Sequence, residues 1–219
     1  MRTVRLWVFL VLFWVASAPV FARHRHPAAE DTEPGQFDYY LLSLSWSPSY
    51  CLVHPDEGSQ CRRRGLGFVL HGLWPQFEDG RYPQFCAPGL ELSASAAALG
   101  ERLFPSPRLV QHEWQRHGSC SGLDPEGYFR TADRALGVLR IPSRFEAPRT
   151  NLSMTADEIR AEFLRANASV PSDALRIACG HGELSELRLC LTPDLAPRPC
   201  GRGVRNSCPR SPVSVPSVR

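Results

Sequence analysis

The chain has 219 residues, of which 43% are hydrophobic and 21% charged, and its net charge is +3 at neutral pH. This size and composition indicate an ordinary globular protein with one core rather than two, so a single domain is predicted. The net charge is too small to indicate a polyanionic partner by itself.

The N-terminus has the order of a secretory signal peptide. Arg2 and Arg5 precede the apolar run LWVFLVLFWVAS, and a small-residue boundary ends at Ala22. The run is shorter than the roughly 20 residues that a spanning helix needs, which favours a signal peptide over residues 1–22 rather than a membrane anchor. No later stretch is long and apolar enough to cross a bilayer, so we expect a soluble protein in the periplasm or outside the cell.

The 8 cysteines of an exported chain predict four disulfides, because oxidising compartments let such bonds persist. Metal ligation is the alternative, but the sequence has no C-x-x-C pair and the cysteine spacings are irregular. Spacing alone does not decide which cysteines pair.

Along the chain, residues 23–35 are polar and proline-bearing, and they indicate a flexible leader. A folded domain is predicted over residues 36–208, followed by a disordered tail over residues 209–219. Its first two buried strands are predicted in FDYYLLSLSWSP and LGFVLHGLW, and a polar loop that Cys51 and Cys61 could close lies between them.

Farther along, a capping box and helical spacing predict a helix in TADEIRAEFLRA. Alternation predicts two paired strands in ALRIAC and LSELRLCL. Strands mixed with helices, without regular β-α alternation, favour an α+β fold with a central antiparallel sheet flanked by helices.

Residues 111–120, QHEWQRHGSC, concentrate polar chemistry in ten positions. On a helix, His112, Glu113, Arg116 and His117 fall on one side. A solvated surface helix with i,i+4 pairs explains this pattern equally well. A zinc site of the H-E-x-x-H kind is disfavoured, because the two histidines are five residues apart rather than four and point about 140° apart around a helix.

A second histidine segment, FVLHGLWPQ, sets His71 at the end of an apolar strand. A lone histidine there is usually structural. Two histidine segments in an exported chain instead suggest an acid and base pair, since the unperturbed pKa of imidazole lies near neutrality.

These two segments closely resemble the signature segments of the ribonuclease T2 family, the secreted acid-type endoribonucleases. LSLSWSPSYC and RIACGHGELSELRLC resemble the family's first core strand and its C-terminal strands, so the likeness extends from about Phe37 to Cys208. It implies a monomeric enzyme that cleaves single-stranded RNA but not DNA, with broad base specificity. It also implies that no metal or other cofactor is needed and that cleavage proceeds through 2′,3′-cyclic phosphates.

The resemblance also implies roles by position. His71 corresponds to the general acid that protonates the departing 5′ oxygen, and His117 to the general base. Glu113 and Arg116 correspond to the pair that stabilises the pentacovalent phosphorane. His112 corresponds to a phosphate-binding histidine.

Base recognition and two departures from the family complete what the resemblance implies. Trp74 corresponds to the tryptophan beside the base and the first histidine, so it could stack a base or form a wall that positions His71. Gln76, which follows the motif, could line a base pocket. The family usually has lysine where Arg116 stands and threonine where Ser119 stands. Arginine keeps the charge and can fork two donors onto phosphate oxygens, but with a different geometry, so we expect activity to survive.

The resemblance further suggests the cysteine pairing: Cys86 with Cys120, Cys51 with Cys61, Cys190 with Cys200, and Cys179 with Cys208. It leaves a second hypothesis open, because the family includes catalytically silent relatives that act as secreted binding or signalling proteins. Loss of a motif histidine would mark such a relative, and both His71 and His117 are present.

Overall fold

A computed structural model describes residues 33–62, 65–87 and 89–218. The predicted signal peptide, residues 1–22, and most of the predicted leader, residues 23–32, lie outside the described residues. Within the described ranges, no helix is both long and apolar enough to cross a membrane.

The described chain folds around one six-stranded sheet. Its strands are Tyr39–Trp46 (β1), Phe68–Gln76 (β2), Leu152–Met154 (β3), Leu175–Gly180 (β4), Glu183–Leu191 (β5) and Val213–Val215 (β6). β1 lies between β2 and β5, and β4 also pairs with β5; these pairings and that of β3 with β6 are antiparallel. Only β6 contacts β5 in parallel among the described strands. The predicted α+β class is therefore confirmed, with this one parallel contact added to the antiparallel sheet.

Seven α-helices surround the sheet in the described part of the chain. They are Ser47–Val53 (α1), Gly58–Cys61 (α2), Ala94–Leu103 (α3), Pro107–Arg116 (α4), Pro125–Leu136 (α5), Ser143–Glu146 (α6) and Ala156–Ala166 (α7). The predicted capping box begins α7: the Thr155 hydroxyl accepts from the Glu158 amide, and the Glu158 carboxylate accepts from the Thr155 amide. The segment between Cys51 and Cys61, predicted as a polar loop, is instead helical at both ends and a loop only over residues 54–57. Proline in the first turn favours the start of α1, and the Glu57 side chain caps α2.

The main core lies on one face of the sheet. Leu42, Leu44 and Trp46 alternate along β1 and are buried with Phe129 of α5 and Phe163 of α7. Because successive strand residues point to opposite faces, the intervening positions of β1 face away from this core. That second face carries the candidate site.

The predicted disordered tail, residues 209–219, is wrong for the residues that the structure describes. Val213 and Val215 of β6 are 2% and 0% exposed. The carbonyl oxygen of Pro216 accepts from Trp46 Nε1 at 3.0 Å. The serine- and proline-rich composition suggested disorder. Instead, the side chains of Val213 and Val215 are buried, and the backbone of the segment accepts the hydrogen bond of the buried Trp46 indole N–H.

All four predicted disulfides are confirmed: Cys51–Cys61, Cys86–Cys120, Cys179–Cys208 and Cys190–Cys200. The second of these ties the segment after β2 to the 3₁₀ turn Gly118–Cys120, which follows α4 after His117. It therefore links the two segments that carry the histidine motifs.

Candidate active site

A β-bulge in β2 places His71. Ser43 of β1 lies opposite Gly72 and the next residue, Leu44, lies opposite Leu70, so His71 is the extra residue without a partner in the register. A bulge re-aims side chains locally. Here the His71 ring lies edge-on to Trp74, with ring centroids 4.9 Å apart.

His71 is hydrogen-bonded to a carboxylate that sequence reasoning did not single out. Its Nδ1 lies 2.5 Å from Oε1 of Glu186, and Oε2 of Glu186 accepts from Nε and Nη2 of Arg188 at 2.8 and 2.6 Å. Burial opposes the charge on His71, but the hydrogen bond and charge of Glu186, with the charge of Glu113, raise its pKa above the usual value. Burial opposes the charge on Glu186 too, yet His71 and Arg188 lower its pKa to about 2.

Helix α4 carries the second motif. Ser106 caps its start by accepting from the Leu109 amide at 3.2 Å, and Pro107 occupies the first turn. The segment, considered above as if it were helical, does form a helix as far as Arg116. His117 is the residue after it, and its amide still donates to the carbonyl of Glu113 at 3.0 Å.

Glu113 and Trp74 join the two motifs. Glu113 is 1% exposed, and its Oε2 accepts from Trp74 Nε1 at 2.7 Å. Burial raises the pKa of Glu113 to about 7, although the charge of His71, the Trp74 hydrogen bond and the charge of Arg116 act in the opposite direction. A large part of this carboxyl is therefore protonated at acidic pH.

The environment of His117 lowers its pKa, whereas that of His71 raises the pKa of that histidine. His117 is 7% exposed, and burial together with the positive charges of Arg116, His112 and His71 lowers its pKa to about 3. Its Nδ1 has no hydrogen-bond partner among the described residues. The ring centroid lies 5.3 Å from that of Trp74. His117 is therefore a neutral imidazole, able to accept a proton, over most of the pH range.

The structure brings all the site residues of the two motifs to one cavity of about 350 Å³. Its lining includes His71, Trp74, Gln76, His112, Glu113, Arg116 and His117. The Gln76 amide donates to the carbonyl of Pro75. His112 is exposed overall, but partial desolvation of its ring and the charge of Arg116 lower its pKa. Within the described ranges, no three His, Cys, Asp or Glu side chains are arranged to hold a metal ion.

Three residues at this cavity were missed from the sequence: Tyr82, Glu186 and Arg188. Tyr82 and Arg188 line it directly, and the Tyr82 hydroxyl lies 3.5 Å from Nη2 of Arg116. One signal was available, since alternation in LSELRLCL puts Glu186 and Arg188 on one face of the strand and the leucines at 187 and 189 on the other. No comparable signal marks Tyr82.

Comparison with known proteins is consistent with this geometry. The family model described as "Ribonuclease T2 family" matches residues 37–200. A ribonuclease of Aeromonas hydrophila is 45% identical over 105 residues, which cover 46% of this chain and 45% of that protein. A probable ribonuclease of Haemophilus influenzae is 32% identical over 178 residues, or 74% of this chain and 61% of that protein. The chain thus spans less than two thirds of the length of these two relatives.

Solved structures share the fold. The RNase-related protein from Calystegia sepium aligns with a TM-score of 0.64 over 84% of this chain and 98% of its own, at 21% sequence identity. The family match extends over most of the described residues. The chain therefore belongs to the ribonuclease T2 family.

Proposed function

We propose that this chain is an endoribonuclease that cleaves single-stranded RNA without a metal ion, with His71 as general acid and His117 as general base. One observation carries the proposal: two imidazoles with opposite pKa shifts line one cavity, both against Trp74. A two-histidine mechanism needs one ring charged and one neutral at the same pH.

The chemistry follows from the substrate. RNA carries its own nucleophile, the 2′-hydroxyl, next to the scissile phosphorus. Neutral His117 accepts the 2′-hydroxyl proton as the oxygen attacks phosphorus, and charged His71 donates a proton to the 5′ oxygen as the P–O5′ bond breaks. The first product is a 2′,3′-cyclic phosphate. DNA lacks the hydroxyl and is expected to remain intact.

Three groups of α4 are assigned to the charge that develops on the phosphoryl oxygens. Arg116 supplies a permanent positive charge, and His112 adds one when protonated. Glu113 fits the same task because its raised pKa, about 7, leaves it protonated at acidic pH. A protonated carboxyl donates a hydrogen bond to a phosphoryl oxygen, whereas a carboxylate would repel it.

Base binding is assigned to the aromatic wall of the cavity. Trp74 is held by its hydrogen bond to Glu113, and Tyr82, 42% exposed, offers a second aromatic surface. Stacking on such rings contributes about 1–3 kcal/mol per base with little sequence preference, which supports broad specificity. Gln76 remains a weaker candidate for a base contact, since its amide donates to Pro75.

The proposal includes a location and an assembly state. Four disulfides among the described residues support a protein that folds in an oxidising compartment, either the periplasm or the medium. We expect it to act as a monomer.

The test is digestion of single-stranded RNA by the oxidised, purified protein in EDTA, with single-stranded DNA as the parallel substrate. We expect RNA cleavage to persist, DNA to survive, and mass spectrometry to find 2′,3′-cyclic termini. His71→Ala and His117→Ala should each lower the rate by about 10²–10⁴-fold. His181→Asn is the matched control, because His181 is exposed in the β4–β5 turn at φ 53, a conformation that asparagine tolerates.

Two outcomes would contradict the proposal. Loss of cleavage in EDTA would refute metal independence, and an unchanged rate in folded His117→Ala would refute its role as base. RNA binding without cleavage by the unaltered protein would instead favour a silent, binding relative.

A further inference from the structure

Glu186 fixes the orientation of the His71 ring. Its side chain is 10% exposed, and each oxygen has its own partner, His71 on one side and Arg188 on the other. Because both oxygens are engaged, the carboxylate has a defined orientation and holds Nδ1 of the imidazole. Nε2 is then the nitrogen of His71 that remains for the cleft.

The charged groups that act on His71 from β5 and from α4 with the residue after it are Glu186, Arg188, His112, Glu113 and His117. A second depression that His71 lines adds Tyr50, His54, Glu57 and Arg108. Beside Glu186, a neighbouring depression that His71 also lines contains His54, His181 and Glu183. Of these groups, Glu186 alone is hydrogen-bonded to the His71 ring in the described structure.

We propose that Glu186 is the positioning residue of the general acid: it accepts a hydrogen bond from Nδ1–H of His71 and so keeps a protonated Nε2 directed to the departing 5′ oxygen. This inference rests on the proposed function. When Nε2 gives its proton to the leaving oxygen, Nδ1–H stays bonded to Glu186, and the neutral ring can later take a proton from water as the cyclic phosphate opens.

The electrostatics of the pair agree with this role. Burial disfavours charge on both partners, yet the pKa of His71 is raised and that of Glu186 is lowered to about 2. The pair is therefore an imidazolium and a carboxylate across the acidic range, which is the state that a general acid needs before the reaction.

The test compares two substrates in Glu186→Gln, which keeps the shape of the side chain and removes its charge. Loss of an opposite charge in contact lowers a pKa by about 1–3 units, so the alkaline limb of the kcat/KM profile on RNA should move to lower pH by at least about one unit. The rate on RNA near neutrality should fall roughly 10–100-fold. Uridine 3′-(4-nitrophenyl phosphate), whose leaving group departs without a proton, should be cleaved at close to the unaltered rate.

Glu183→Gln is the matched control, because it makes the same charge change on the same strand and Glu183 has no ion pair with a described residue. It should alter neither substrate. Equal losses on RNA and on the nitrophenyl ester, or an unmoved alkaline limb, would overturn the role of Glu186. If Glu186→Gln fails to fold, Glu186→Asp is the second variant, because it keeps the charge on a shorter side chain. The alkaline limb of its kcat/KM profile on RNA should stay near the original pH. An unaltered protein that does not cleave RNA would refute the proposed function instead.

A separate observation concerns an open depression of about 580 Å³ next to the cavity. Four arginines, Arg160, Arg176, Arg202 and Arg205, line it together with one carboxylate, that of Asp173. Val204 lines both this depression and the candidate site, so the loop that carries Arg202 and Arg205 borders both. Among the described ion pairs, the only one made by these arginines is that of Arg160 with Asp157.

We infer that these arginines bind backbone phosphates of the RNA strand beyond the scissile one. The inference deepens the proposed function by adding a length preference. Guanidinium groups fork two donors onto phosphate oxygens, and each phosphate neutralised on a single strand adds about 0.7 to the salt slope of log K. Long RNA should therefore bind more tightly than a dinucleotide, and with a steeper dependence on salt.

The variant for this test is Arg202→Ser with Arg205→Ser. Its KM for a 30-nucleotide RNA should rise several-fold, the salt slope should fall by about 1.4, and turnover of a dinucleoside phosphate should not change. Arg149→Ser with Arg210→Ser is the control, since both residues are exposed and line neither cavity.

Equal weakening in the control, or an unchanged slope in the variant, would overturn the inference. Binding of a 30-nucleotide DNA, measured by fluorescence anisotropy, supplies a readout that does not need cleavage. A protein that binds this DNA through Arg202 and Arg205 but cleaves no RNA would sustain the phosphate site and refute the proposed function.

Discussion

Gly72 is the position where one added carbon should do most damage to the site. A Cβ there would lie 2.0 Å from Nε1 of Trp74 and 2.2 Å from Oε2 of Glu113. These are the two atoms of the 2.7 Å hydrogen bond that joins the motifs. Gly72→Ala therefore cannot be accommodated unless that hydrogen bond opens.

The cost has two parts. Overpacking a well-packed site costs about 1–3 kcal/mol, and losing a hydrogen bond to a buried carboxyl costs about 1–3 kcal/mol more. We expect the free energy of unfolding to fall by about 2–6 kcal/mol, which lowers the melting temperature of a domain of this size by about 4–24 °C. Because Trp74 and Glu113 must both shift by an ångström or so, kcat on RNA should fall about 10²-fold.

Thermal and urea unfolding measure the first effect, and RNA turnover at saturating substrate measures the second. Gly180→Ala is the matched control, since Gly180 also lies in a strand, has an ordinary φ, and a Cβ there meets nothing within 4 Å. Its stability should change by less than about 1 kcal/mol and its kcat should not change. Unaltered stability and turnover in Gly72→Ala would refute the idea that the Trp74–Glu113 bond holds the site together.

Four further predictions follow from the same geometry. The kcat/KM profile on RNA should be bell-shaped: it rises as His117, with a pKa of about 3, becomes neutral, and it falls as Glu113, with a pKa of about 7, and His71, with its raised pKa, lose their protons. A monotonic rise to pH 9 would contradict the assignment. The fold raises the pKa of Glu113 from 4.5 to about 7, so protonation of this carboxyl stabilises the folded state. This contribution to the free energy of unfolding is full below pH 4.5 and is lost as the pH rises through about 7. The loss is on the order of 3 kcal/mol, and urea titrations should find it in the unaltered protein but not in Glu113→Gln. Arg116→Lys should keep kcat within about tenfold, whereas Arg116→Ala should lose about 10²-fold or more; equal losses would show that guanidinium geometry, not charge, is required. Deletion of residues 212–219 removes two buried valines worth about 1.5–3 kcal/mol each and should lower the free energy of unfolding by at least about 3 kcal/mol, while a truly disordered tail would cost nothing.

Local patterns predicted the elements whose stability is local. The capping-box motif of Thr155 and Glu158 predicted helix α7, the aromatic and aliphatic run predicted β1, and alternation predicted β4 and β5. Strand β6 could not be predicted in this way, because three residues form no stable strand alone. It exists because β3 and β5 accept it and because the Trp46 indole, 170 residues earlier in the sequence, needs an acceptor.

The same distinction between local and long-range contacts applies to the site residues. The motif residues were visible in sequence because they are close together in the chain, but the partner of His71 lies 115 residues away and two strands across. Neighbouring strands are about 4.8 Å apart, so Glu186 on β5 must reach over β1 to meet His71 on β2. The residues of β1 opposite Arg188 and Glu186 are Ser43 and Ser45, whose small side chains leave that path open. The bulge at His71 then turns the ring into the path. Strand order, two serines and one irregular register thus together create the carboxylate contact, and no single segment of sequence contains it.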